Sequence, residues 1–208
     1  ERETGVKTWA KKNNINYIEI DSLKDDDLEK VLKEINKVKP DLGVVADFSF
    51  IIPKKVIETF NNKIINVHFS LLPKYRGASP VQHAILNGDE ITGVTFYILD
   101  EKMDTGDIIG QIEYKMTYKE TSGELYDTLF EIASKKLPEI IQKLILGKIT
   151  PLPQDEKNAT YTFSKTNSKH TFVFKEDALI DWDKNNKEIE RMIRAYNPWP
   201  TAWTYMKD

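Results

Sequence analysis

The sequence predicts an α/β domain built on a mostly parallel sheet flanked by helices. Two observations lead there. Short apolar runs at 42–46 and 64–68 are separated by a helical stretch at 54–60. That is the order of a βαβ unit, and such units build parallel sheets. The second run ends in Asn66-Val67-His68, and residues i and i+2 of a strand share a face. An amide and an imidazole therefore point into one volume at the C-terminal edge of the sheet, where open α/β sheets hold ligands. Pro73 and Gly77 follow at once and force a loop over that edge.

The elements follow in order. Residues 6–13 read as a short helix and 17–20 as a strand. Asp25, Asp26 and Asp27 open a helix, with their charges where they complement its dipole. Leu28, Val31, Leu32 and Ile35 recur along it at helical spacing, and Pro40 marks its end. The continuous apolar run at 42–46 is that of a buried parallel strand. After the site loop, 81–86 is helical, stopping at Asn87-Gly88. Residues 94–99 form a strand, and a short turn pairs it antiparallel with 108–116. A long helical period runs over 122–146, where Pro138 should kink or split it. Residues 151–161 read as a linker. Beyond it only 188–195 is plainly helical, and Asn197-Pro198-Trp199-Pro200 makes a rigid loop suited to anchoring packing between domains.

Composition narrows the chemistry. The chain has 208 residues, 40% of them hydrophobic, enough for one substantial core and part of another. Its net charge of −3 gives no global positive field, so a nucleic-acid partner would have to be met by local patches. There is no cysteine, which excludes thiolate catalysis, Cys metal sites and disulfides. No apolar run approaches the roughly 18 residues of a membrane span. Phosphate-binding, dinucleotide-binding and zinc-hydrolase motifs are all missing. The three histidines are far apart in sequence, which does not suit a metal site, and His83 and His170 read as surface residues.

From the residues alone, two readings of Asn66 and His68 stand side by side: a site, or polar caps for the following loop. Asp104, in Asp104-Thr105-Gly106-Asp107, is likewise either a site carboxylate or turn chemistry with a Gly for positive φ. Arg76 either binds an anion or braces its own loop.

The run Asn66-Val67-His68-Phe69-Ser70-Leu71-Leu72-Pro73-Lys74-Tyr75-Arg76-Gly77-Ala78-Ser79-Pro80 resembles the signature of the folate-dependent formyltransferases. In that family it is followed by a Gly-Val-Thr strand and an Asp-x-Gly-Asp segment, seen here as Gly93-Val94-Thr95 and Asp104-Thr105-Gly106-Asp107. The likeness resumes at Ile180-Asp181-Trp182 and Arg194-Ala195-Tyr196-Asn197-Pro198-Trp199-Pro200. It implies a Rossmann-like formyltransferase fold and a catalytic set of Asn66, His68 and Asp104. In such a set Asn66 and His68 would serve as oxyanion donors, and Asp104 would orient His68 and take the proton of the attacking amine. Leu99, Asp100 and Met103 would contact folate, and Ser70, Leu71, Leu72 and Pro73 would shape the same pocket. Arg76 would reach the substrate. Asp47-Phe48-Ser49-Phe50 departs from the family's aromatic–glycine sequence and leaves the detail of the pocket wall open.

The same resemblance implies 10-formyltetrahydrofolate as co-substrate, no metal, and the methionyl amino group of initiator tRNA as acceptor. An amino-sugar nucleotide, glycinamide ribonucleotide or water are the alternative acceptors, and a non-catalytic folate- or tRNA-binding module is the alternative from another class. A cytoplasmic monomer is expected, with an organellar location left open. Residues 1–150 would be the catalytic domain and 162–208 the beginning of a C-terminal β-barrel domain that binds tRNA. Glu1-Arg2-Glu3-Thr4-Gly5 does not look like the family's opening, so its first strand is expected to be absent from this chain.

Overall fold

In the computed structural model, residues 4–48, 50–61 and 63–206 are described. Four strands, β1 (Gly43–Ala46), β2 (Ile64–His68), β3 (Ile91–Ile98) and β4 (Ile108–Lys115), form one sheet in the order β1-β2-β3-β4. β1 and β2 pair parallel, through the helix between them, as the βαβ reading requires. β2–β3 and β3–β4 are antiparallel. The sheet is thus mixed, where the sequence suggests a mostly parallel one. The hairpin between β3 and β4 is the expected one. β2 and β3 are antiparallel because β3 runs back after the site loop and helix α4 (Pro80–Asn87).

The helices start where the sequence marks them. Thr4 caps α1 (Gly5–Lys12) by accepting from the Lys7 N–H, and three aspartates fill the first turn of α2 (Asp25–Val38). α3 spans Lys54–Thr59. Pro80 opens α4 at a position where its missing N–H costs nothing, and Gly88 ends it in the left-handed region. Capping boxes at Thr121/Glu124 and Asn185/Glu188 begin α5 (Ser122–Ile145) and α6 (Asn186–Ala195). α5 is continuous through Pro138, so the proline does not split it. No helix among the described residues is long and apolar enough to cross a membrane.

Residues 17–20 do not form a strand. A strand needs a backbone partner, and none among the described residues pairs with this segment. Side chains hold it instead: Lys30 Nζ donates to the Glu19 carbonyl at 2.7 Å, and Lys7 pairs with the Glu19 carboxylate.

The two faces of β2 belong to different cores. Ile65, Val67 and Phe69 pack with Leu125 and Leu129 of α5 and with Val81 and Ile85 of α4. Ile64, on the other face, packs with Leu32 of α2 and Val56 and Ile57 of α3. Each such buried side chain contributes about 1.5–3 kcal/mol. Asn66 and His68 follow Ile64 on that same face.

The C-terminal segment is tied to the sheet domain. The Asn197 carbonyl accepts from Gly123 N and Ser122 Oγ at the start of α5, while the Trp199 ring beside it is 59% exposed. Within 162–206 the β pairing among the described residues is one bridge, Leu179 to Trp203. His83, expected at the surface, is half-buried and donates from Nδ1 to the Ser79 carbonyl at 2.8 Å.

Glu120 marks a pH-sensitive joint before α5. Burial pushes its carboxyl up, but hydrogen bonds from the Thr117 and Lys119 amides and from Tyr114 outweigh this and hold it at about 2. A carboxylate whose folded pKa is depressed stabilises the fold above its unfolded value near 4.5, and that contribution is lost as pH falls through about 2. Glu120→Gln should therefore cost on the order of 2–3 kcal/mol at pH 7 and progressively less toward pH 2. Chemical denaturation of both forms across pH 2–7 tests this. A pH-independent difference would refute it.

Candidate active site

Asn66 pairs with Tyr97 across β2 and β3, and His68 with Thr95. Directly opposed residues of an antiparallel pair point to one side, so all four side chains share the face of the sheet that carries Ile64. The loop after β3 returns Asp104 to this face. Its backbone is left-handed (φ 55°), a conformation Asp tolerates better than most residues. Gly106 follows with its Cα packed against the Ile98 carbonyl, where a Cβ would lie 1.7 Å from the oxygen. Only glycine passes there.

The polar groups form one cluster. Tyr97 Oη donates to Asp104 Oδ1 at 2.6 Å, and Asn66 Nδ2 donates to Tyr97 Oη at 2.7 Å. Gly77 N–H donates to Asp104 Oδ2 at 2.6 Å. Gly77 has φ +114°, and a Cβ there would strike Thr162 Oγ1, so this donor also requires glycine. His68 Nε2 lies 2.9 Å from the Tyr75 carbonyl. A carbonyl only accepts, so Nε2 carries a proton. His68 Nδ1 then faces Asp104 Oδ2 at 3.8 Å, beyond hydrogen-bond distance, and would donate to that carboxylate only once Nδ1 also carries a proton. Burial and the neighbouring Asp104 charge raise the Tyr97 hydroxyl far above its ordinary range, so it stays a neutral donor.

The cluster stands at the wall of a cleft of about 350 Å³. Phe48, Phe50, Ile52, Leu99 and Met103 give it apolar sides, and Asn66, His68, Asp104 and Asp100 are part of its polar lining, with Asp47, Glu101 and Lys102 also on its wall. Phe48 and Phe50 meet edge to face at 5.4 Å; Ser49, between them, lies outside the described residues.

The sequence-predicted residues divide. Asn66, His68 and Asp104 converge, and Leu99, Asp100 and Met103 line the cleft beside them. Ser70, Leu71, Leu72 and Pro73, expected to shape the pocket, stand behind the residues that line this cleft. Thr95 Oγ1 donates to the Ser70 carbonyl at 2.6 Å and accepts from Leu72 N at 3.0 Å, and this turns the chain away from the cleft. What the turn does is deliver the Tyr75 carbonyl to His68. Arg76 is engaged within the protein. Its side chain is fully buried, with the guanidinium on Glu156 at 2.8 Å, Gln154 at 2.8 Å and Tyr161 at 3.0 Å. It braces 151–161 and has no donor to spare for a substrate anion. Gln154 passes that brace on: its Nε2 donates to the Asp104 and Gly106 carbonyls at 2.9 and 2.8 Å.

Tyr97 and Gln154 were not singled out by the sequence. For Tyr97 a signal existed, since the partner of Asn66 in the next antiparallel strand must share its face, but using it requires the register. Gln154 sits in a polar segment with no local signal. Among the described residues no three His, Asp or Glu side chains are grouped to hold a metal ion.

With this fold and this site the chain belongs to the formyl transferase family. The family's formyl transferase model matches residues 3–141, and the model of its C-terminal domain matches 173–208. Curated relatives include the methionyl-tRNA formyltransferases of Bacillus cytotoxicus and Bacillus mycoides, each 38% identical over 97% of this chain. The chain spans 60% of the length of those relatives. Among solved structures, a 4-N formyltransferase from Francisella tularensis superposes with a TM-score of 0.73 over 95% of this chain and 75% of its own, at 24% identity. The N-formyltransferase of Helicobacter canadensis, in complex with folinic acid and dTDP-3-aminofucose, matches 90% of this chain and 62% of its own at 26% identity, with a TM-score of 0.66.

Proposed function

We propose that the protein transfers a formyl group from 10-formyltetrahydrofolate to the amino group of methionyl initiator tRNA. The observation that carries the reading is the convergence of Asn66, His68 and Asp104 at the wall of one apolar-sided cleft. The folate co-substrate supplies an activated formyl carbon, and the apolar lining from Phe48 to Met103 is where its flat ring fits. Asn66 presents an amide N–H to the formyl oxygen as that oxygen gains charge, in a site where a preorganised donor counts for most. His68 and Asp104 together take the proton of the attacking amine and return one to the departing folate nitrogen. Leu99, Asp100 and Met103 hold the ring by contact and backbone pairing. No covalent bond to the protein is needed.

The tRNA acceptor is supported by the names of relatives 38% identical over nearly the whole chain. On this reading residues 1–150 carry catalysis, 151–161 connect, and 162–208 open a tRNA-binding domain; the enzyme works as a cytoplasmic monomer. A second reading, an amino-sugar nucleotide as acceptor, is favoured by the Helicobacter canadensis likeness. The full-length natural protein should be offered initiator methionyl-tRNA, a dTDP-amino sugar and water in turn with the formyl donor. Transfer to the tRNA is expected. Transfer to the sugar alone would replace the acceptor, and none at all would leave a binding module.

A further inference from the structure

We propose that Tyr97 is a positioning residue that locks the Asn66 amide in its donating orientation and couples it to Asp104. The inference rests on the formyl-transfer reading above. An asparagine side chain offers an oxygen on one side and an NH2 on the other, and the two orientations fit almost the same space. Only one is useful if Asn66 is to donate to a formyl oxygen. The choice is made by Tyr97. Its Oη lies 2.6 Å from Asp104 Oδ1, and an ionised carboxylate only accepts, so the phenolic proton is committed to Asp104. The hydroxyl oxygen is left with lone pairs alone toward Asn66, 2.7 Å away. An amide oxygen turned to that oxygen would bring two acceptors into contact. Nδ2 must therefore face Tyr97, which leaves its second N–H free.

The ring itself cannot move to relieve the pairing. Tyr97 is fully buried, lies opposite Asn66 in the ladder, and sits against Gly106. Burial keeps the phenol protonated. Gly77 N–H fixes the other carboxylate oxygen, so Asp104 cannot swing away and release the phenolic proton. Donor, phenol and carboxylate act as one directional chain: Asn66 to Tyr97 to Asp104.

Removing only the hydroxyl tests this. In the full-length natural protein, Tyr97→Phe should lower kcat by about 10- to 100-fold, the usual scale for loss of alignment in a site. The KM for the formyl donor should change less than about twofold, because the ring that fills the wall is retained. In an Asn66→Ala background the same substitution should cost only a few-fold more, since its main target is gone. Full activity of Tyr97→Phe, a loss lying wholly in KM, or an equal loss with and without Asn66 would overturn the proposal while leaving the formyl-transfer reading intact. A wild-type protein that formylates no amine acceptor would overturn both.

Discussion

Asp104→Asn is expected to lower kcat for formyl transfer by roughly 10³- to 10⁴-fold, the scale seen when an amide replaces a buried carboxylate that orients a histidine. The substitution is nearly isosteric, so the loss traces to hydrogen-bond polarity. Asp104 receives two donors, Tyr97 Oη on one oxygen and Gly77 N–H on the other. Asparagine has a single accepting oxygen. If its NH2 faces Gly77, two donors collide. If it faces Tyr97, the phenolic proton loses its acceptor, must turn away, and no longer fixes which side of the hydroxyl Asn66 meets. The negative charge opposite His68 Nδ1 is lost in either case. An unsatisfied buried donor costs about 1–3 kcal/mol, so the melting temperature should fall as well. Single-turnover formyl transfer measured beside a thermal melt separates the two effects. Turnover within tenfold of wild type in the folded variant would exclude a reaction role for Asp104.

That prediction depends on contacts whose legibility differs with their separation along the chain. The i, i+2 relation of Asn66 and His68 is local, and a strand must express it; the caps at Thr121 and Asn185, each closed with a glutamate three residues on, are local as well. Pairings across strands are not local. Residues 17–20 carry strand composition yet find no partner among the described residues, and remain single. Tyr97 is 31 residues from Asn66, and nothing in either segment states the register that makes them neighbours.

The same limit explains Ser70 to Pro73 and Arg76. The resemblance places that motif at the site, and it is at the site, but as a support. Thr95, 25 residues on, decides which way the turn goes. Glu156, 80 residues on, decides that Arg76 is a brace. Asp104 was legible only through the resemblance, because Asp-Thr-Gly-Asp is ordinary turn chemistry. The turn is there, but its positive φ falls on Asp104 and not on Gly106 as the turn reading expected, and that backbone aims the carboxylate.

Asn66→Ala is expected to reduce kcat by about 100- to 1,000-fold, the loss recorded for single oxyanion donors. The free N–H of Nδ2 would be stronger toward a charged oxygen than toward a neutral formyl group, so its removal should fall on the reaction step and leave the KM for the folate donor nearly unchanged. Stability should change little. Asn66 is only half-buried, and with its amide gone the Tyr97 hydroxyl still donates to Asp104 and no buried donor is stranded. His68→Ala makes the contrast. It also removes a donor to the Tyr75 carbonyl, and with it the tie that holds the site loop against β2, so that variant should lose stability along with rate. Steady-state kinetics and melts of both proteins distinguish them. Near-normal turnover in Asn66→Ala would remove the amide from the reaction and with it the reason for the alignment of Asn66, Tyr97 and Asp104.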